Sequence, residues 1–238
     1  MADFDNDYVQ WKAWESQAFC VLTAEQSRYF AAELRKTKQS LPAGAKVLEV
    51  GFGQGRFLAY ARSQQWQVTG TELNPHLVER GKAMGLDVHQ TQDLAQWADG
   101  SFDLVVAFDV LEHVPPPADR ALVGIADLLD DHGFAILSVP CGGKTVPTNE
   151  FYPDLASWTE FEDRVEWVDI SGNQHTDFEP EFHGGGGQTL AFRLWGMEDF
   201  CSRLIASGFK AVSEIPNNSE LGVPEIENSG MFIAHIGR

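Results

Sequence analysis

The chain has 238 residues, 43% hydrophobic and 22% charged, which suits one α/β domain with room for an insertion. Its 35 acidic against 17 basic residues give a net charge of −18, which repels phosphate backbones and argues against a nucleic-acid partner. No apolar run approaches the roughly twenty residues of a membrane helix, so no membrane partner is expected.

The start, MADFDNDY, has neither the basic patch nor the apolar stretch of a secretory signal. Cys20, Cys141 and Cys201 lie far apart, without the spacing of a zinc site or a disulfide framework. The expected location is the cytoplasm. Trp11, Trp14, Ala18 and Val21 recur at helical steps, as do residues from Tyr29 to Leu34, before Pro42 and Gly44 punctuate the chain. Residues 1–44 therefore read as an N-terminal helical extension to a domain spanning 45–238.

From Lys46 the texture changes. Strands are expected at Val47–Val50, Gln67–Thr71, Asp87–His89, Phe102–Phe108 and Phe134–Val139. Between them, Arg56–Ser63, Pro75–Met84 and Asp119–Leu129 have helical periodicity. This alternation predicts a parallel sheet with helices on both faces. Residues 142–192 are rich in Gly, Pro and aromatics and show no clear period. A helix resumes at Met197–Ser207, stopped by Gly208, and two strands follow at Lys210–Ile215 and Met231–Ile236.

The sharpest motif is VLEVGFGQGRF, Val47 to Phe57. An apolar strand enters Gly51-Phe52-Gly53-Gln54-Gly55 and a helix leaves it, the arrangement in which backbone amides lie against a cofactor. A dinucleotide fingerprint would place its third glycine at position 56, which is Arg56. The pattern is G-x-G-x-G preceded by Glu49, and it resembles motif I of class I S-adenosylmethionine (SAM)-dependent methyltransferases. That resemblance places Glu49, Gly51, Phe52, Gly53 and Gly55 around the cofactor, with the Glu49 carboxylate toward its ammonium group.

The second strand ends at Glu72, about twenty residues past the first glycine, where a carboxylate suits the two hydroxyls of a ribose. Leu73, Asn74 and Pro75 then open a helix, with Asn74 as N-cap. In the family an Asp after the third strand holds the adenine amino group and the next residue meets the ring. Asp93 and Leu94 occupy those places.

Ser101 to Val114, SFDLVVAFDVLEHV, resembles motif IV of small-molecule methyltransferases. The resemblance implies the Rossmann-like class I methyltransferase fold, a seven-stranded, mostly parallel sheet of order 3-2-1-4-5-7-6 with its last strand antiparallel. It sets Asp109 beside the methionine end of SAM and His113 near the reacting methyl. His113 then either takes a proton from a hydroxyl or amine acceptor or, with Glu112, fixes the loop by hydrogen bonds. Asp109, Glu112 and His113 would share a face if helical, so a divalent ion is an alternative, as in similar quinone-pathway O-methyltransferases. No metal is assigned.

The helix at Met197–Ser207, closed by Gly208-Phe209, resembles the family's final segment. The resemblance covers about residues 45–140 and 193–236. Residues 142–192 carry Phe151, Tyr152, Trp158, Phe161, Trp167, Phe178, Phe182 and Phe192, and are expected to form a substrate lid around their own small core. The expected activity is methyl transfer from SAM to O, N or C of a small-molecule acceptor, leaving S-adenosylhomocysteine (SAH). A SAM-binding protein without turnover, a protein methyltransferase and a nicotinamide-dependent oxidoreductase are the alternatives, the last opposed by Arg56. Oligomeric state is not readable in the sequence.

Overall fold

Strand β1 (Lys46–Val50) pairs in parallel with β2 (Gln67–Glu72) on one side and β4 (Phe102–Phe108) on the other. Central parallel strands are covered on both faces, which is why their sequences are continuous apolar runs rather than alternating ones. β3 (Asp87–Gln90) continues the sheet beyond β2, and β5 (Leu129–Gly143) beyond β4. The computed structural model describes residues 19–161, 163–183, 189–215 and 229–237. Trp11, Trp14 and the Gly184–Gly187 run lie outside these residues.

Helices α2 (Arg56–Ser63), α3 (Pro75–Ala83) and α4 (Asp119–Leu128) make the connections after β1, β2 and β4, with α1 (Ala24–Lys36) ahead of β1. Thr23 caps α1 reciprocally: Gln26 N donates to Thr23 Oγ1 at 3.1 Å, and Thr23 N donates to Gln26 Oε1 at 2.9 Å. Successive strand residues point to opposite faces. Val47, Leu104, Val106 and Ile136 therefore pack with Phe57, Tyr60 and the partly buried Phe30 and Leu34 of α1. Leu48, Val105, Ala135 and Leu137 face the other way, onto Leu122 and Ile125 of α4 and Phe200 and Leu204 of α5 (Met197–Ala206).

The far edge is formed by β14 (Ser229–His235), antiparallel to β5 and to β13 (Ala211–Glu214). The order β13-β14-β5-β4-β1-β2-β3 is the expected 3-2-1-4-5-7-6 read from the other edge. Two short strands are added off this path, β12 (Arg193–Gly196) on β5 and β6 (Asn149–Glu150) on β12, making nine in all among the described residues. β5 is longer than the expected Phe134–Val139. Its start, Asp130-Asp131-His132-Gly133, is polar, but Leu129 still pairs with Phe102 across a register shift. At its end, Cys141 pairs with Trp195 of β12.

The segment without sequence periodicity builds a three-stranded antiparallel sheet of β7 (Leu155–Glu160), β8 (Val165–Asp169) and β9 (Gln174–Asp177). A two-residue pair, β10 (Phe182–His183) with β11 (Thr189–Leu190), follows. Tyr152, Val165, Leu190 and Phe192 form a small buried cluster of their own here, with Trp167 packed on it. No helix among the described residues is long and apolar enough to cross a membrane.

Candidate active site

The carboxyl ends of β1, β2 and β4 converge, and the glycine loop is hung from the second of them. Gly51 N and Phe52 N both donate to the carbonyl of Thr71, at 2.8 and 3.0 Å. Gly51, Gly53 and Gly55 have φ of +71°, +49° and +68°, the left-handed region that glycine enters without a steric penalty. A Cβ on Gly51 would lie 2.5 Å from Cγ2 of Val110. The glycine is thus required by the protein's own fourth-strand exit as well as by anything lying on the loop.

Glu72 is tied into the same turn. Its Oε2 accepts from Gly53 N at 3.0 Å, and its Oε1 accepts from Leu73 N at 2.8 Å and Asn74 N at 3.1 Å. Asn74 in turn caps α3, accepting from His76 N at 3.0 Å and Leu77 N at 3.3 Å. Glu49 lies beneath. Its carboxylate is buried, and Oε2 has no hydrogen-bond partner among the described residues. Burial pushes the Glu49 carboxyl well above the usual range, opposed by a backbone hydrogen bond from Leu58 and reinforced by the charge of Glu72.

Asp93 Oδ1 accepts from Ala95 N at 3.0 Å and so starts the short 3-10 turn Leu94–Gln96. Asp109, directly after β4, has φ +53°, a conformation that costs a non-glycine residue about 1–3 kcal/mol and collects at functional sites. Ser138 of β5 holds it there: the Asp109 amide donates to the Ser138 carbonyl at 3.1 Å, and Ser138 Oγ donates to Asp109 Oδ1 at 2.8 Å.

Leu111–His113 make a single 3-10 turn. With Asp109 left-handed, the helical face expected to gather Asp109, Glu112 and His113 is not built, and no three metal-ligating side chains cluster among the described residues. Glu112 is fully buried. The His113 ring has Nδ1 2.8 Å from the Leu190 carbonyl and Nε2 3.7 Å from Glu112 Oε1.

The returning strand of the insertion grips this turn. Phe192 N donates to the Glu112 carbonyl at 2.8 Å, and Arg193 Nη1 donates to the carbonyls of Leu111 and Val114 at 2.8 and 2.7 Å. Arg193 is itself buried and ion-paired with Glu150 at 2.9 Å.

These elements surround one cleft of about 1750 Å³, above the usual range of roughly 300–1,000 Å³ for a small-ligand pocket. Glu49, Gly51, Phe52, Gly53, Glu72, Leu73, Asp93, Leu94, Asp109 and His113 all line it. Gly55 is the exception. It stands behind the loop as the N-cap of α2, facing Cys20, Leu58 and Phe19, so its role is to turn the chain rather than to line the cleft. Phe52 is buried against Phe19 and Leu58, so its ring belongs to the core.

Trp158, one of the aromatics of the expected lid, also lines the cleft, as do Tyr29, Ser138 and Glu160, which no sequence motif marks. For Tyr29 the sequence offered only its place at the start of the helical stretch Tyr29 to Leu34. Burial, the charge of Glu33 and the charge of Asp109 all raise the Tyr29 hydroxyl's pKa.

A nucleotide-cofactor cleft at the carboxyl edge of a mixed α/β sheet with this strand order defines the class. The chain belongs to the methyltransferase-domain family, whose model matches residues 22–207. It is similar to a ubiquinone biosynthesis O-methyltransferase of Xanthomonas axonopodis pv. citri (strain 306), 38% identical over 105 residues, 41% of this chain and 44% of that protein. The chain thus spans less than half the length of this curated relative.

Among solved structures, an S-adenosylmethionine-dependent methyltransferase from Mesorhizobium loti superposes with a TM-score of 0.58 at 19% identity, covering 90% of this chain and 98% of that one. A 1,6-didemethyltoxoflavin-N1-methyltransferase from Burkholderia thailandensis, crystallised with 1,6-didemethyltoxoflavin and SAH, gives a TM-score of 0.54 at 18% identity. It covers 100% of this chain and 87% of that one. The fold is therefore that of SAM-dependent methyltransferases. The residues present fit the cofactor: a loop that brings bare backbone to the cleft at Gly51 and Gly53, an amide-oriented carboxylate at the second strand end, and a buried carboxylate oxygen with no hydrogen-bond donor among the described residues.

Proposed function

We propose that the chain transfers the methyl group of SAM to an oxygen, nitrogen or carbon of a small-molecule acceptor, leaving SAH. The observation that carries this is a shared cleft, lined by the glycine loop, Glu49, Glu72 and Asp93 together with Asp109, His113 and the insertion. Glu72, already aimed by three backbone amides that fill both sites of Oε1 and one of Oε2, accepts a ribose hydroxyl with the remaining site on Oε2. Asp93 and Leu94 take the adenine edge and ring, and the buried Glu49 oxygen draws the ammonium end.

When bound, SAM supplies an electrophilic sulfonium methyl. Asp109 and Ser138 keep the β4 exit open beside that end, and alignment supplies much of the acceleration. His113 receives the proton released by a hydroxyl or amine acceptor at Nε2. Its Nδ1–H donates to the Leu190 carbonyl, which leaves Nε2 as the ring's proton acceptor, with the Glu112 carboxylate 3.7 Å from it. The insertion, residues 142–192, acts as a lid that keeps water from the reacting atoms, through Trp158, Leu190 and Phe192. Three free cysteines fit a reducing, cytoplasmic setting.

The test is incubation with methyl-labelled SAM and a panel of phenols, amines and carbon acids, following label transfer and SAH release. Transfer to one acceptor class is the expected result. SAM binding with no turnover across the panel would leave a cofactor-binding protein instead.

A further inference from the structure

Strand β7 places Trp158 and Glu160 two residues apart, hence on one face of the strand, and Trp158 Nε1 donates to Glu160 Oε1 at 2.8 Å. Both line the cleft, next to Phe161, Leu190 and Phe192. The Trp158 and Phe192 rings meet edge to face, with centroids 5.2 Å apart, while Trp158 remains 39% exposed. This is an aromatic wall with a carboxylate set into it.

The carboxylate differs from three others of the insertion. Glu150 is paired with Arg193, and Asp163 and Glu166 share Arg164. Arg164 is further occupied over the Phe161 ring, at 4.1 Å. The influences on Glu160 are burial, which raises its pKa, and the Trp158 hydrogen bond, which lowers it; no cation among the described residues is one of them. The cleft's arginines, Arg56 in the first turn of α2 and Arg120 in that of α4, lie on other elements. A carboxylate partly withdrawn from water without a counter-charge is unfavourable, and ring faces beside it attract the same sign of ligand charge.

We propose that Glu160, with the exposed Trp158 ring, recognises a protonated nitrogen on the acceptor, separate from the atom that is methylated. This rests on the reading that the cleft holds a small-molecule methyl acceptor, and it narrows that acceptor to a cationic amine in preference to a carboxylic acid. The net charge of −18 favours the same ligands at long range.

The test uses two probes of similar shape and opposite charge, phenethylamine and phenylacetate, titrated calorimetrically into the full chain with and without saturating SAH. The amine is expected to bind at least about tenfold more tightly, the scale of one favourable cation contact. Glu160→Gln, which keeps an oxygen for Trp158 Nε1, is expected to remove that preference and leave SAH affinity unchanged. Equal or tighter binding of phenylacetate, a preference that survives Glu160→Gln, or no binding of either probe would overturn the proposal. Loss of SAH binding in the unmodified chain would instead strike the methyltransferase reading, since the titrations without SAH still report on Glu160.

Discussion

Three backbone amides, those of Gly53, Leu73 and Asn74, converge on the carboxylate of Glu72. They fix its orientation and join two loops through one side chain. Glu72→Ala is therefore expected to weaken SAM and SAH binding by roughly 10- to 100-fold, the worth of about 1.5–3 kcal/mol in hydrogen bonds to a charged group; calorimetric titration of the variant reads this directly.

Glu49 makes the opposite trade. Its folded pKa lies above the ordinary value of 4.5. Its contribution to stability is therefore fully present below that ordinary value and is lost as pH rises through the folded one. Ionised Glu49 should weaken the ligand-free fold. Glu49→Gln is expected to raise the thermal midpoint at neutral pH, by on the order of 1 kcal/mol, with the gain vanishing toward acid, while cofactor affinity falls. Melting curves across pH separate the two effects, and an unchanged midpoint would show that Glu49 is satisfied where it sits.

Glu72 and Asp109 were legible as residues because each follows a recognisable strand. Gly55 was legible only as a glycine, its place behind the loop being set by the turn into α2. Tyr29 and Glu160 were not legible, because what brings them to the cleft is the packing of α1 and of the insertion.

Among the elements, α2 and α3 stood out in the sequence because each has a clear apolar period and a defined start: Gly55 for one, Asn74-Pro75 for the other. Asn74→Ala removes a cap bonded to two amides and is expected to cost about 1 kcal/mol in urea unfolding. The insertion escaped the sequence because its strands run from two to six residues and β7 is mostly exposed on both faces, so neither period develops.

Its attachment is nonetheless specific. Arg193 reaches the two ends of the Leu111–Val114 turn and Glu150 at once. Arg193→Met would leave two carbonyls without this donor and Glu150 with only the longer contact to Arg203 at 3.4 Å, and a loss of roughly 3–5 kcal/mol is expected. Arg193→Lys, which keeps the charge without the forked geometry, is expected to recover only part of it. Equal stability of all three forms would show that the turn is held by other contacts.

At the scale of the whole molecule, the alternation of apolar runs and helical periods made a parallel sheet legible, while the strand order came only with the family resemblance carried by Val47–Phe57 and Ser101–Val114. The nine-strand count was not legible, since β6 and β12 exist only where the insertion leaves and rejoins β5. The cleft lies between these parts, so a ligand that bridges them should stabilise the entire domain. At about a hundred times its dissociation constant, a ligand adds about 2.7 kcal/mol. That corresponds to roughly 5–10 °C in the thermal midpoint for a chain of this size, which differential scanning fluorimetry with SAH measures.

The most direct test is isothermal titration of the purified protein with SAM, SAH and NADH. The structure implies micromolar binding of SAM and SAH, about −8 kcal/mol, and none of NADH. Binding of NADH with no heat from SAM or SAH would contradict the assignment and make the glycine loop a dinucleotide site despite Arg56.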